Sequence, residues 1–217
     1  MPIVTISRGT LSGGRVVAEC LANRLGCPCI AREILQDAAK ALGASADQLQ
    51  RGFESPPGLW PRLTEQQRTY HAAVQAALAD ACIAGDLVYH GLAGQFLLRG
   101  VPGVLRVRLI APLDLRVRAL IRSHHRMSHS AAERFIRRVD RDRVRWVRLM
   151  YGADVDEPFL YDLTVNLEGL TIETACEIIA TVASQPPYRR SDETVKQLTL
   201  LARHCQSRLP AGQDALG

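Results

Sequence analysis

Pro2-Ile3-Val4-Thr5-Ile6-Ser7-Arg8-Gly9-Thr10-Leu11-Ser12-Gly13-Gly14-Arg15-Val16-Val17 decides the reading of this chain. Its first residues are short, β-branched and mostly apolar, the pattern of a buried strand. Val16, Val17, Cys20, Leu21 and Leu25 then recur at helical spacing until Gly26 stops the run. Three glycines and two hydroxyl side chains lie between. A strand that breaks into such a loop and restarts as a helix gathers backbone N–H groups and a positive helix end at one point, a geometry that holds phosphate.

Further along, strand patterns recur at Cys27–Ile30, Leu87–His90, Val104–Ala111 and Leu160–Asn166. Helical patterns fall between them, at Arg32–Leu42, Ser45–Phe53, Thr64–Ile83 and beyond Pro112. Thr64-Glu65-Gln66-Gln67 reads as a capping box, and Ser130 is the expected cap of a helix over Ala131–Tyr151. Thr171 caps a closing helix. Alternating strands and helices predict an α/β fold with a five-stranded parallel sheet flanked by helices. Residues 1–184 suffice for it. Residues 185–217 read as a Pro-Pro linker, an amphipathic helix over Ser191–Arg208 and a tail, with protease cleavage expected near Pro186–Arg190.

The 217 residues carry a formal charge of +5, unevenly spread: Arg106–Arg148 holds thirteen arginines, four acids and no lysine. Arginine over lysine favours planar pairing with phosphate or carboxylate. A nucleic-acid surface more often carries lysines and interleaved aromatics, so that partner is disfavoured. No apolar run is long enough for a membrane span, and no secretory signal pattern opens the chain; the expected setting is the cytoplasm. The six cysteines read as buried thiols, His124, His125 and His129 as part of a hinge rather than a metal site, and Trp60 as core.

Gly9-Thr10-Leu11-Ser12-Gly13-Gly14-Arg15-Val16 has the P-loop spacing of two glycines five apart followed by a cation. Arg15 replaces the usual Lys, and Val16 the hydroxyl that meets Mg²⁺. Arg134, Arg138, Arg141, Arg145 and Arg148 fall at intervals that share one helix face. An arginine helix closing over a phosphate loop supplies the charge that phosphoryl transfer needs.

Ile6-Ser7-Arg8, Ser12-Gly13-Gly14-Arg15 and Arg32-Glu33-Ile34 resemble the opening of the cytidylate kinase-like family. So do Val107–Pro112 with Arg116, the Asp140-x-x-Arg143 step, and Tyr151–Asp154 with Leu160–Leu163. The resemblance runs in order from about Ile3 to Ile179. It implies a P-loop kinase fold with a small helical excursion for the acceptor nucleotide, about residues 32–84, and an arginine-rich lid, about residues 122–152. It implies transfer of the ATP γ-phosphoryl to CMP or dCMP with Mg²⁺. On this resemblance Gly9, Thr10, Ser12, Gly13, Gly14, Arg15, Val16 and Arg137 bind the donor nucleotide. Arg15, Arg138, Arg141 and Arg143 act on the transferring group, and Arg32 lies near the acceptor. No protein metal-ligand set is expected. Leu11 stands where this branch commonly has glycine, Leu92 where it has arginine, and His90 where an acid orders Mg²⁺; these departures leave a nucleotide-binding regulatory module as the alternative. The helix over Ser191–Arg208 is read either as a pairing surface for a homodimer or as the lead into a further domain.

Overall fold

The structure is a computed structural model that describes residues 2–54, 64–123 and 127–210. Its sheet has five parallel strands: β1 (Ile3–Arg8), β2 (Cys29–Ile30), β3 (Leu87–Tyr89), β4 (Val104–Ile110) and β5 (Leu163–Asn166), in the spatial order β2-β3-β1-β4-β5. The central strand β1 is buried over its first four residues, with Ile3, Val4 and Ile6 at most 1% exposed.

Alternation along the strands sorts side chains into two layers. Ile3, Leu87, Tyr89 and Val104 face one core, which they share with α2 (Glu33–Leu42), α4 (Glu65–Ala84) and α5 (Gly94–Leu97). Val4, Ile6, Val88, Leu105 and Leu109 face the other, beneath α1 (Gly14–Leu25) and α8 (Ile172–Ala183). Helix α3 (Ala46–Glu54) continues the excursion after α2. The capping box on α4 forms as expected: Gln67 N donates to Thr64 Oγ1 at 3.2 Å, and Thr64 N to Gln67 Oε1 at 3.0 Å.

Two helices matter most for the site. α6 (Leu113–Ser123) and α7 (His129–Tyr151) pack through Val117, Leu120, Ala132 and Ile136. α7 begins two residues earlier than a Ser130 cap allows, because Ser128 takes the capping role and accepts from Ala131 N at 3.3 Å. At its other end Trp146 and Val147 enter the main core. Tyr151, the last residue of α7, stacks on Phe96 with centroids 4.2 Å apart. Both ends of α7 are therefore packed.

β5 is shorter than its apolar pattern suggests. Asp162 leaves the strand to pair with Arg106, Oδ1 to Nη2 at 2.6 Å, and Pro158–Leu160 forms a 3₁₀ turn. The amphipathic helix expected over Ser191–Arg208 forms and packs within the chain. Pro186–Tyr188 is a 3₁₀ turn, Arg190 donates to the Ile83 carbonyl, and α9 (Asp192–Gln206) lies along α4. Its Leu198, Ala202 and Cys205 are at most 3% exposed, so the amphipathic stripe is used within the chain. No helix of the described residues is long and apolar enough to cross a membrane. His124, His125 and Trp60 lie outside the described residues.

Candidate active site

β1 delivers the chain into the glycine loop at the centre of the sheet. Leu11 takes a left-handed φ of 60°, and Gly13 a φ of 78°, before α1 starts at Gly14. That turn aims the first N–H groups of α1, which have no intrahelical acceptor, out of the carboxyl end of the sheet. Thr10 and Ser12 are buried, and Ser12 Oγ donates to Gly9 O at 3.0 Å. Leu11 packs against the α6–α7 cluster, which ties the loop to those helices. Val16 is 53% exposed and brings no oxygen.

Beside the loop, across the carboxyl ends of β1 and β3, lies a cavity of about 790 Å³. This is the crevice where open α/β sheets hold ligands, and the volume suits a small molecule. Its chemistry is divided. Arg8, Arg15, Arg32 and Arg143 contribute cations, while Leu92, Val139, Trp146 and Val147 contribute apolar wall. Glu19, Glu33 and Asp142 also reach it.

Arg8 is the central cation. Its stem lies across the Cα of Gly14: a methyl group there would overlap Arg8 Cδ and stand 3.1 Å from Cγ. Arg8 Nε is buried with no hydrogen-bond partner. No carboxylate of the described residues lies within ion-pair distance of it. Burial, then the neighbouring Arg143, Arg32 and Arg15 charges, pull its pKa below the ordinary arginine value. Arg143 Nη1 donates to the Arg8 carbonyl at 3.1 Å. Arg8, buried among these cations with no carboxylate of the described residues at ion-pair distance, is a candidate receptor for an anion.

The remaining charges are more local. Arg15 is largely exposed and bonds Glu19 at 2.7 Å, which raises its pKa. Glu33 accepts from Ala31 N at 2.7 Å, and backbone hydrogen bonds hold its carboxyl low. His90, at the end of β3, is pulled down by burial and then by Arg8, which favours neutral imidazole. Burial pushes the Cys29 thiol up to about 11, so it offers no thiolate at neutral pH. Deeper in, Gln95 Nε2 donates to Tyr161 Oη at 3.2 Å, and Tyr161 donates to Val155 O at 2.8 Å.

Of the residues expected from sequence, Arg15, Arg32 and Arg143 meet at this cavity, and Gly9, Thr10, Ser12, Gly13 and Gly14 form the loop beside it. Arg137, Arg138 and Arg141 do not line it. They are exposed on other faces of α7, where Arg137 bonds Glu133 at 2.8 Å and Arg138 lies 5.6 Å from the Phe135 ring centroid. Trp146 and Val147 dock α7 and thereby choose the inward face, and Arg143 shares it. Arg8, Arg116, Asp140 and Gln95 are contributors that spacing alone did not single out.

A central strand, glycine loop and helix in a sheet of order β2-β3-β1-β4-β5 give the P-loop kinase fold. The fold matches shikimate kinase from Bacteroides thetaiotaomicron with a TM-score of 0.52 and 10% identity, over 85% of this chain and 99% of that one. An uncharacterized protein from Eubacterium ventriosum matches with a TM-score of 0.64 and 18% identity, over 83% and 97%. Residues 3–169 match the cytidylate kinase-like family, and the chain belongs to it. Cytidylate kinase from Methanothermobacter thermautotrophicus is 26% identical over 174 residues, covering 80% of this chain and 99% of that protein. Cytidylate kinase from Methanosarcina barkeri is 24% identical over 168 residues, covering 76% and 87%.

Proposed function

We propose that this chain is a nucleotide kinase that transfers the γ-phosphoryl group of ATP to CMP or dCMP. The observation that carries the reading is the cavity beside the glycine loop, cationic through Arg8, Arg32 and Arg143 and apolar along Leu92, Val139 and Trp146. A nucleoside monophosphate has the same division, a dianion joined to a flat base. The family and the named relatives make cytidine the base to test first.

In this reading the α1 amides and Arg15 hold the donor phosphates, and Arg32, Arg8 and Arg143 hold the acceptor phosphate. An acceptor oxygen attacks the γ-phosphorus as the bond to the β-phosphate oxygen breaks, and ADP leaves. Arg143, fixed on the Arg8 carbonyl, meets charge that spreads onto the equatorial oxygens. Magnesium, when bound, offsets phosphate charge. Val16 gives it no oxygen, but Ser12 Oγ, which donates to Gly9 O, keeps its lone pairs for a cation held mainly by phosphates and water. Arg137, Arg138 and Arg141 point away from the acceptor cavity and are left out of the reading.

A second reading, nucleotide binding without turnover, is favoured by Val16, His90 and Leu92 standing in place of hydroxyl, acid and arginine. A coupled assay of the common nucleoside monophosphates with ATP and Mg²⁺ decides. CMP or dCMP turnover above the others supports the kinase. Nucleotide binding by calorimetry with no ADP formed supports the binding module. No binding of any nucleotide overturns both.

A further inference from the structure

α7 carries a row of arginines that the acceptor cavity does not use. Arg134, Arg138, Arg141 and Arg145 share one face of the helix, and all four are exposed. By helical rise the row runs about 16 Å. No carboxylate of the described residues lies within ion-pair distance of any of them. The acids of α7 are drawn elsewhere: Glu133 bonds Arg137 at 2.8 Å, Asp140 bonds Arg116 at 2.6 Å, and Asp142 reaches the cavity. Folding thus takes away the counter-charges that the sequence places beside the row.

The helix beneath is fixed. Ala132 and Ile136 pack against α6, and Trp146 and Val147 enter the main core. The row is therefore a preorganised line of cations, with an axial step of about 4.5–6 Å between neighbours. That step is on the scale of one nucleotide of an extended strand. Phe135 stands within the row, 36% exposed, and Arg138 lies over its ring with the guanidinium carbon 5.6 Å from the centroid. Cations that track a backbone, beside an aromatic ring on which a base can stack, are the two elements of single-strand binding. The scarcity of aromatics weighs against a nucleic-acid partner in the sequence as a whole, but the row has its ring. Arginine in place of lysine is no obstacle, since its planar fork grips phosphate. A membrane surface fits less well, because it takes up a helix by the apolar face, and that face of α7 is buried within the chain.

We propose that the outward face of α7 is a docking surface for single-stranded nucleic acid. Arg134, Arg138, Arg141 and Arg145 meet successive phosphates, and Phe135 stacks on a base. Between Arg134 and Arg145 there is no Asn, Gln, Ser or Thr to read base edges, so binding is independent of sequence. The surface is separate from the acceptor cavity and does not depend on the kinase reading.

The test uses the full chain and fluorescent oligo(U) and oligo(dT), followed by anisotropy across a range of salt. Wild type is expected to bind both, with log affinity falling against log salt at a slope of about −3, the value for four phosphates on a single strand. Arg134→Gln/Arg145→Gln is expected to bind at least about tenfold more weakly at low salt, with a slope shallower by about 1.4. Phe135→Ala is expected to lose about fivefold with the slope unchanged, because it removes stacking and leaves the charge. Lys196→Gln/Arg203→Gln, the same charge change at exposed positions of α9, is expected to stay within about threefold of wild type. Circular dichroism checks that each variant is folded. Absence of salt-dependent binding by wild type overturns the proposal, as do equal losses in the α7 and α9 double variants, which would leave only net charge. Unchanged binding by Phe135→Ala, or displacement of the oligonucleotide by poly-glutamate of equal charge, overturns nucleic acid as the partner. Displacement by excess MgATP at matched ionic strength overturns it too, by assigning the row to the donor nucleotide.

Discussion

Arg8 and Gly14 are a matched pair: the arginine stem crosses the glycine Cα so closely that a methyl group there would overlap Arg8 Cδ. Glycine at this position is required by a neighbour, since Gly14 already begins α1 and its burial leaves no spare volume. The contact sets where the Arg8 guanidinium goes, and with it the charge of the cavity. Gly14→Ala is expected to displace Arg8, destabilise the fold by about 1–3 kcal/mol through overpacking, and weaken CMP binding. Calorimetry on Gly14→Ala, Arg8→Met and the double variant checks this. The two losses are expected to be far from additive, and additive losses would break the link.

The inward and outward arginines of α7 separate by activity. Arg143 touches the Arg8 carbonyl, whereas Arg138 and Arg141 are exposed away from the cavity. Arg143→Met is expected to lower kcat/KM for the preferred monophosphate by about a hundredfold or more, the usual loss of a preorganised charge contact. Arg138→Met and Arg141→Met are expected to stay within about threefold of wild type, the scale of an exposed charge. Equal losses at all three positions would place the outward face in the reaction.

The strand, loop and first helix were legible because each follows from local chemistry: β-branched residues, then glycines, then an apolar stripe. The whole sheet was legible for the same reason. Which face of α7 turns inward was less so, since periodicity groups residues by face without saying which face docks. A signal was present: Ile136, Val139, Arg143 and Val147 form an apolar row interrupted by one arginine, and that arginine reaches the cavity. The Asp140–Arg116 pair joins positions on two helices, and the Arg8–Gly14 contact depends on a side-chain path. Neither has a local signature. The role of α9 was missed because its stripe showed that it needs a partner without showing that α4 is the partner.

Leu11 occupies a left-handed backbone position that glycine adopts freely and other residues pay to enter. Its side chain offsets this by packing with Val117, Leu120, Ala132 and Ile136. Leu11→Ala keeps the strain and loses the packing, so a loss of about 1–2 kcal/mol is expected. Leu11→Gly loses the same packing but relieves the strain. It should therefore unfold at higher denaturant than Leu11→Ala. The reverse order in urea titrations would show that packing is not what holds the loop.

The C-terminal helix is part of the core layer. Truncation after Arg189 removes Leu198, Ala202 and Cys205 from α4 and the Arg190 bond to Ile83 O. It exposes Ala72 and Ala76, which pack with Cys205. The shortened chain is expected to aggregate or melt well below the full one, each large buried side chain lost costing about 2–5 kcal/mol. Limited proteolysis of the full chain should spare 185–190 while the fold persists. Ready cleavage there with an unchanged melting temperature would show that α9 is dispensable.

His71 couples the end of α7 to acid stability. Its Nε2 lies 2.7 Å from Tyr151 Oη, and burial, with a smaller effect of Arg208, lowers its pKa to about 4. In the unfolded chain an ordinary histidine titrates near 6.5. Between these values the unfolded state binds a proton that the folded state refuses, so stability falls as pH drops from about 6.5 toward 4. Above that window His71 is neutral in both states and contributes no slope. The slope from this one group can reach about 1.4 kcal/mol per pH unit. His71→Gln keeps a polar partner for Tyr151 but cannot take up the proton. Urea titrations from pH 7 down to pH 4 are expected to show a shallower loss for the variant than for wild type, and parallel curves would assign the acid sensitivity to another group.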